Sequence, residues 1–118
     1  MDGSGIARTP EPPYYAVIFT SLQTGDLEGY DEASARMLDL AAGMPGFLGV
    51  ESAREGLGIT VSYWSDLESI AEWKRHAEHA AVQGSGRRRW YAHYATRIAR
   101  VEREYSFERK GDPPASLT

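Results

Sequence analysis

Residues 58–105 read GITVSYWSDLESIAEWKRHAEHAAVQGSGRRRWYAHYATRIARVEREY. This stretch holds all three Trp, all three His and four of the seven Tyr. Its first seven residues alternate, Ile59, Val61 and Tyr63 against Thr60, Ser62 and Trp64, which is the period of a strand. Ser65 and Glu68 have capping-box spacing, so a helix is expected to start there. Leu67, Ile70, Ala71, Lys74 and Ala77 supply its inner stripe, with Trp73 beside Ile70 and Ala77. The GSG run at 84–86 breaks that helix, and Arg87 to Tyr91 add a further helical turn. From Ala92 to Phe107 a long strand is expected. Tyr94, Thr96 and Ile98 share one face, whereas Ala99, Val101, Tyr105 and Phe107 follow a pattern shifted by one residue. That shift predicts a bulge near Ala99-Arg100.

Working outward, Glu55-Gly56-Leu57-Gly58 makes a tight turn and PGFLGVESARE before it is another strand. Leu48 and Val50 are expected on one face, with Phe47, Gly49 and Ala53 on the other. The two strands form an antiparallel hairpin. Upstream, Leu27, Tyr30, Ala33, Met37, Leu40 and Ala41 recur at helical spacing, with Asp26 or Thr24 as N-cap, and Gly43 and Pro45 end that helix. Tyr14 to Thr20, YYAVIFT, is an unbroken run of strand formers, as expected for a strand buried on both faces. Residues 1–13 and 108–118 read as flexible tails around one domain, 14–107. The resulting order is β-α-β-β-α-β. It predicts a ferredoxin-like α+β fold, a four-stranded antiparallel sheet with helices on one face. The other face is apolar enough to need a cover, so two copies are expected to pair sheet to sheet as a homodimer.

Composition narrows the function classes. A net charge of −4 gives no general attraction for nucleic acid or anionic membranes. The chain has no Cys, which excludes disulfides, thiolate zinc sites, iron–sulfur clusters and thiol catalysis. No apolar run approaches the ~18–20 residues that span a bilayer, and the N-terminus lacks an apolar signal core, so a cytoplasmic location is expected. Arg87-Arg88-Arg89-Trp90-Tyr91 joins basic and aromatic residues, a pattern that can track single-stranded nucleic acid. Three Arg in an acidic chain fit a solvated or interfacial surface better. Glu72, His76 and His79 have helical i, i+4, i+7 spacing but lack an HExxH pattern, and no metal site is expected.

Three segments carry a resemblance to a known family: Met44-Pro45-Gly46-Phe47-Leu48-Gly49, then GITVSYWSDLESIAEWKRHAEHAAVQ, then GRRRWYAHYATRIARVEREYSF. Over roughly 14–107 the chain resembles the antibiotic biosynthesis monooxygenases of the dimeric α+β barrel superfamily. The resemblance implies a small-molecule cavity in each subunit between sheet and helices. It also implies a homodimeric barrel, and in some relatives oxidation of aromatic or quinone-like molecules without metal, flavin or other cofactor. Other relatives bind or degrade heme, and others are non-catalytic or stress-related modules. The heme-degrading branch is matched at Trp73. Its first-strand Asn has no counterpart in YYAVIFTS, and its His is displaced, since the histidines here stand at Trp73 plus three and plus six.

Within that frame Trp73 and His76, neighbours on a helix surface, are the catalytic candidates. Trp73 would line the cavity, and the His76 imidazole would move protons. The same pair also fits a core Trp beside a boundary His. Tyr63, Tyr91 and Arg36 are the substrate-binding candidates, the tyrosines as aromatic walls and Arg36 as a donor to a developing oxyanion.

Overall fold

The computed structural model of the chain describes residues 5–84 and 87–109, without the side chains of 79–84 and 87–88. Its elements are strand β1 (Tyr14–Gln23), helix α1 (Tyr30–Ala42), strands β2 (Phe47–Glu55) and β3 (Leu57–Trp64), helix α2 (Leu67–Gly84), a single turn α3 (Arg87–Trp90) and strand β4 (Tyr91–Val101). The four strands form one antiparallel sheet in the order β2-β3-β1-β4. Ala41 of α1 and Ile70 of α2 meet Val17 and Trp64 of the sheet in a single core, so both helices cover the same face. This is the ferredoxin-like arrangement expected from the order of elements. Among the described residues, no helix is long and apolar enough to cross a membrane.

The register sorts the side chains into two sets, because residues paired across antiparallel strands share a face. On the helix side the rungs read Phe47–Trp64–Tyr15–Arg100, Val50–Ser62–Val17–Ile98, Ser52–Thr60–Phe19–Thr96 and Arg54–Gly58–Ser21–Tyr94. Trp64 is wholly buried and anchors the core. Its ring meets Phe47 edge-on at 5.4 Å and Trp73 at 5.5 Å, and its Nε1 donates to Ser62 Oγ at 2.9 Å. On α2 the inward residues are Ile70, Trp73 and Ala77, one step tighter than the expected stripe, because Leu67, Ala71 and Lys74 are exposed.

Four local expectations change. Leu48 is an extra residue in β2, so Phe47 comes onto the Trp64 side with Val50 rather than facing away from it. The pairing of β4 with β1 is unbroken through Ala99-Arg100. Its irregularity lies at the other end, beside Leu22 and Gln23, and the apolar shift in the sequence is only a change in which face is apolar. Pairing of β4 stops at Val101 because its partner β1 begins at Tyr14, so 102–109 run on as unpaired chain with Tyr105 and Phe107 exposed. The caps also move. Asp66 Oδ1 accepts the Ser69 N–H at 2.7 Å and starts α2, while α1 follows Gly29 with no side-chain cap. Thr24 and Asp26 instead bond within their own turn, Asp26 N–H to Thr24 Oγ1 at 3.2 Å. The expected break at 85–86, residues 1–4 and residues 110–118 lie outside the described residues.

On the sheet's other face, residues 5–13 run without regular secondary structure against β2. Ala7 N–H donates to Glu51 Oε2 at 3.0 Å, and a Cβ at Gly49 would stand 3.0 Å from that of Ala7. The Tyr63 hydroxyl donates to Glu51 Oε1 at 2.6 Å, and the Tyr14 hydroxyl donates to Glu104, which Thr9 also reaches. The two phenol rings meet edge-on at 5.8 Å. Burial, then the carboxylate each phenol serves, raises both tyrosines above the ordinary phenol value. The bonds from Thr9 and Tyr14 hold Glu104 below the ordinary carboxylate range.

The Met44-Pro45-Gly46 turn locks α1 to the start of α2. Gly46 O accepts the Ser65 N–H at 2.8 Å. Gly46 has φ +88°, and a Cβ there would lie 2.2 Å from Ser69 Oγ and 2.7 Å from Ser69 Cβ. Gly46→Ala therefore combines a left-handed backbone with an overlap, and the expected loss is about 2 kcal/mol or more. Urea unfolding followed by circular dichroism measures it, and a variant as stable as the parent contradicts the packing. The raised phenols give a second expectation. Their contribution is complete below the ordinary phenol pKa of about 10 and disappears as pH rises through the raised values. Phenolate absorbance during alkaline titration should show two late tyrosines ionising together with unfolding, one of them absent in Tyr63→Phe. Simultaneous titration of all tyrosines in an intact fold contradicts it.

Candidate functional site

The helix side of the sheet changes character along β1. Near Tyr15 and Val17 it is closed by Trp64, Phe47 and Ile70. Toward Phe19 and Ser21 the aromatic rings belong to other elements. Phe19 meets Tyr91 edge-on at 5.3 Å and Tyr94 at 5.3 Å. Tyr30, the first residue of α1, meets Tyr91 at 6.0 Å and Trp90 at 5.6 Å. Each such pair adds about 0.5–1.5 kcal/mol beyond its buried area. The Tyr91 hydroxyl donates to the Tyr30 hydroxyl at 3.5 Å.

The local sequence explains how this group is held. Trp90 Nε1 donates to Glu28 O at 2.9 Å, and Trp90 O accepts the Thr24 N–H at 2.7 Å. The single turn of α3 therefore clamps the loop before α1 and delivers Tyr91 onto Phe19. Arg89 and Asp26 add an exposed ion pair at 3.6 Å. The basic–aromatic run 87–91 thus has a structural use at Arg89, Trp90 and Tyr91.

Trp73 reaches this side from α2. Its ring leans on Trp64, and its Nε1 is buried with no hydrogen-bond partner among the described residues. A buried N–H left unpaired costs about 1–3 kcal/mol, so an acceptor that reached it would meet a donor already stripped of water. His76 stands one helical step from Trp73, half in solvent, with Nε2 3.3 Å from Glu72 Oε1. Arg75 also bonds Glu72, and Arg75 followed by His76 keeps that carboxyl below its usual range.

The expected site residues are therefore divided. Trp73 and Tyr91 lie on the helix side, and His76 stands on the flank of α2 next to Trp73. Tyr63 is on the opposite face of the sheet, bonded to Glu51, and shares no wall with Tyr91. Arg36 is exposed in the middle of α1. Phe19 and Tyr30 complete the aromatic group although the sequence marks them only as strand and helix residues. Their signal is the register, which sets Phe19 beside Ser21 and Tyr94. Among the described residues, no group of three or more His, Asp or Glu side chains is placed to hold a metal ion, and the side chain of His79 lies outside that description.

Comparisons with known proteins bear on the family and the fold. The family model for antibiotic biosynthesis monooxygenase matches residues 13–85. The uncharacterized protein YqjZ of Bacillus subtilis (strain 168) is 52% identical over 105 residues, covering 87% of this chain and 92% of that protein. Among solved structures, protein SO0527 from Shewanella oneidensis superposes with a TM-score of 0.65 at 10% identity, covering 84% of this chain and 100% of that one. SnoaB, a cofactor-independent oxygenase from Streptomyces nogalater, superposes with a TM-score of 0.57 at 13% identity, covering 83% and 100%. At such identities the two structures establish the shared fold. The family match spans more than half of the chain, and the Bacillus relative nearly all of it, so this chain belongs to the antibiotic biosynthesis monooxygenase family.

Proposed function

We propose that the protein is a monooxygenase of this family. Its substrate class is a small electron-rich aromatic, of hydroquinone or hydroxyanthrone type, bound between the sheet and the helices without metal or flavin. One observation carries the proposal: Trp73 presents a buried N–H with no partner on the side of the sheet where Phe19, Tyr30, Tyr91 and Tyr94 gather. The rings supply a flat apolar surface for an aromatic substrate. Trp73 Nε1 supplies a donor to a phenolate or peroxide oxygen, and the Tyr30 hydroxyl, which accepts from Tyr91, supplies a second. The chemistry closes on the substrate itself. In the hydroxyanthrone case a benzylic C–H gives its proton to His76, the carbanion adds to dioxygen, the peroxide anion takes a proton, and the hydroperoxide gives up its remaining C–H proton and hydroxide as water to leave a carbonyl. One CH₂ and one O₂ become one C=O and one H₂O, so the electrons come from the substrate. Of the two histidines with described side chains, His93 pairs with Leu22 on the other face, which leaves His76 as the base beside Trp73.

Dissolved-oxygen uptake over a panel of hydroxyanthrones and hydroquinones tests this directly. One O₂ consumed per carbonyl formed is expected with the hydroxyanthrones. Trp73→Phe should lower kcat at least about tenfold with little change in Tm, and His76→Ala should be rescued by added imidazole. No uptake across the panel, with the ligands still bound, assigns the fold to a non-catalytic binding module instead. A Soret shift on hemin titration that depends on Trp73 would transfer the site to the heme-binding branch.

The same proposal includes a homodimer formed through the open sheet face. Leu22, Leu57 and Ile59 on that face are each about half exposed, and Tyr105 and Phe107 extend beyond it almost fully exposed. Apolar groups placed together in this way are costly for a monomer. Light scattering should give twice the 13.1 kDa chain mass, and Ile59→Glu should shift the population toward monomer. A monomeric parent at micromolar concentration overturns the pairing.

A further inference from the structure

On the helix side, the last rung of the sheet is Arg54–Gly58–Ser21–Tyr94. Arg54 belongs to β2 and Ser21 to β1, so β3 lies between them. The guanidinium spans that strand because its rung position is glycine. A Cβ at Gly58 would stand 2.1 Å from Arg54 Cζ and 2.2 Å from Nη2. Laid across Gly58, Arg54 donates from Nη2 to Ser21 Oγ at 2.5 Å, and from Nη1 to Ser21 O at 3.3 Å and Gly56 O at 3.4 Å. Ser21 is almost completely buried. All three acceptors are neutral, and three of five N–H donors are engaged. Arg54 has no carboxylate partner among the described residues.

The surroundings explain why this exposed guanidinium has no carboxylate partner. The four helix-side rungs hold Arg54 and Arg100 but no Asp or Glu, because the β2 carboxylates Glu51 and Glu55 alternate to the opposite face. Arg100 is 3.8 Å from Glu102. Among these rungs Arg54 is thus the cation that lacks an anion, and it stands on the rung next to Phe19. Tyr94 belongs both to its rung and to the aromatic group. A planar guanidinium beside a cluster of rings matches an aromatic ligand that also carries an acid group.

We infer that Arg54 is a specificity-determining residue for an aromatic carboxylic acid. Phe19, Tyr91 and Tyr94 receive the ring, and Arg54, positioned by Gly58 and Ser21, receives the carboxylate. This rests on the helix-side aromatic group being the ligand site, and it narrows the substrate class from electron-rich aromatics to those with an acidic substituent. Binding, rather than turnover, tests it.

Equilibrium dialysis of the full chain at neutral pH with 1-hydroxy-2-naphthoate and with 1-naphthol isolates the carboxylate. The parent should hold the naphthoate at least about tenfold more tightly, the size of a charge-assisted pair. Arg54→Gln should weaken only the naphthoate and bring the two ligands within about twofold. Gly58→Ala should do the same by displacing the guanidinium, and Arg54→Lys should keep part of the preference. Melting curves confirm that each variant is folded. A preference that survives Arg54→Gln, or equal binding of both ligands by the parent, overturns the assignment of Arg54 and leaves the aromatic site standing. Failure of both ligands to bind, or binding unaffected by Tyr91→Ala, overturns the aromatic site and the assignment together.

Discussion

The indole of Trp64 is removed entirely from water, and its N–H is bonded to Ser62 Oγ. The rest of the sheet follows from that contact. A buried indole contributes a large apolar area, and losing it would cost about 3–5 kcal/mol. Its N–H would cost about 1–3 kcal/mol if left bare. In a strand, a residue two positions away on the same face can supply an acceptor, and Ser62 occupies that position. Ser62 then sits opposite Val17 and Val50, and the whole register is fixed. The extra residue at Leu48 is part of the same solution, since it brings Phe47 edge-on to Trp64 instead of leaving it on the far face.

Two tryptophans in contact illustrate the difference between structure and function. Trp64 has its donor satisfied by a neighbour two residues away, which stabilises the core. Trp73 leans on the same ring, equally out of reach of water at Nε1, and has no acceptor among the described residues. Nothing in helix packing requires an indole there, because a Phe or Leu would fill a core position without burying a donor. The unpaired N–H is the feature on which the proposed ligand site rests, and Trp64 provides the rigid surface that holds it in place.

The order of elements was legible because strand and helix periods differ and because Gly and Pro punctuate the chain. Local devices were less so. Ser65 and Glu68 have capping-box spacing, yet Asp66 stands one residue nearer the first turn and takes the Ser69 N–H. Strict alternation cannot reveal an inserted residue, so Phe47 was placed on the wrong face. Trp73 was visible through family resemblance. Tyr63 and Tyr91 looked equivalent as aromatic walls, and only pairing with β1 separates them onto opposite faces. Arg54 was not visible at all. Its role depends on the absence of a side chain at Gly58, four residues later and across a hairpin, and on Ser21 one strand further.

The alternation that hides such devices also sorts the charges of β2. In β2, Glu51 and Glu55 face the open side, where Glu51 holds Tyr63 and the Ala7 N–H. Ser52 and Arg54, their neighbours in sequence, face the helices. One strand thus presents carboxylates to one side and a guanidinium to the other, across a layer a single backbone thick. A one-residue slip of β2 would exchange the two sets, placing carboxylates among the helix-side rings and Arg54 beneath the N-terminal segment. That slip is opposed by the Phe47–Trp64 contact at the far end of the hairpin. The buried indole therefore fixes the sign of the charge on the helix side, three rungs away.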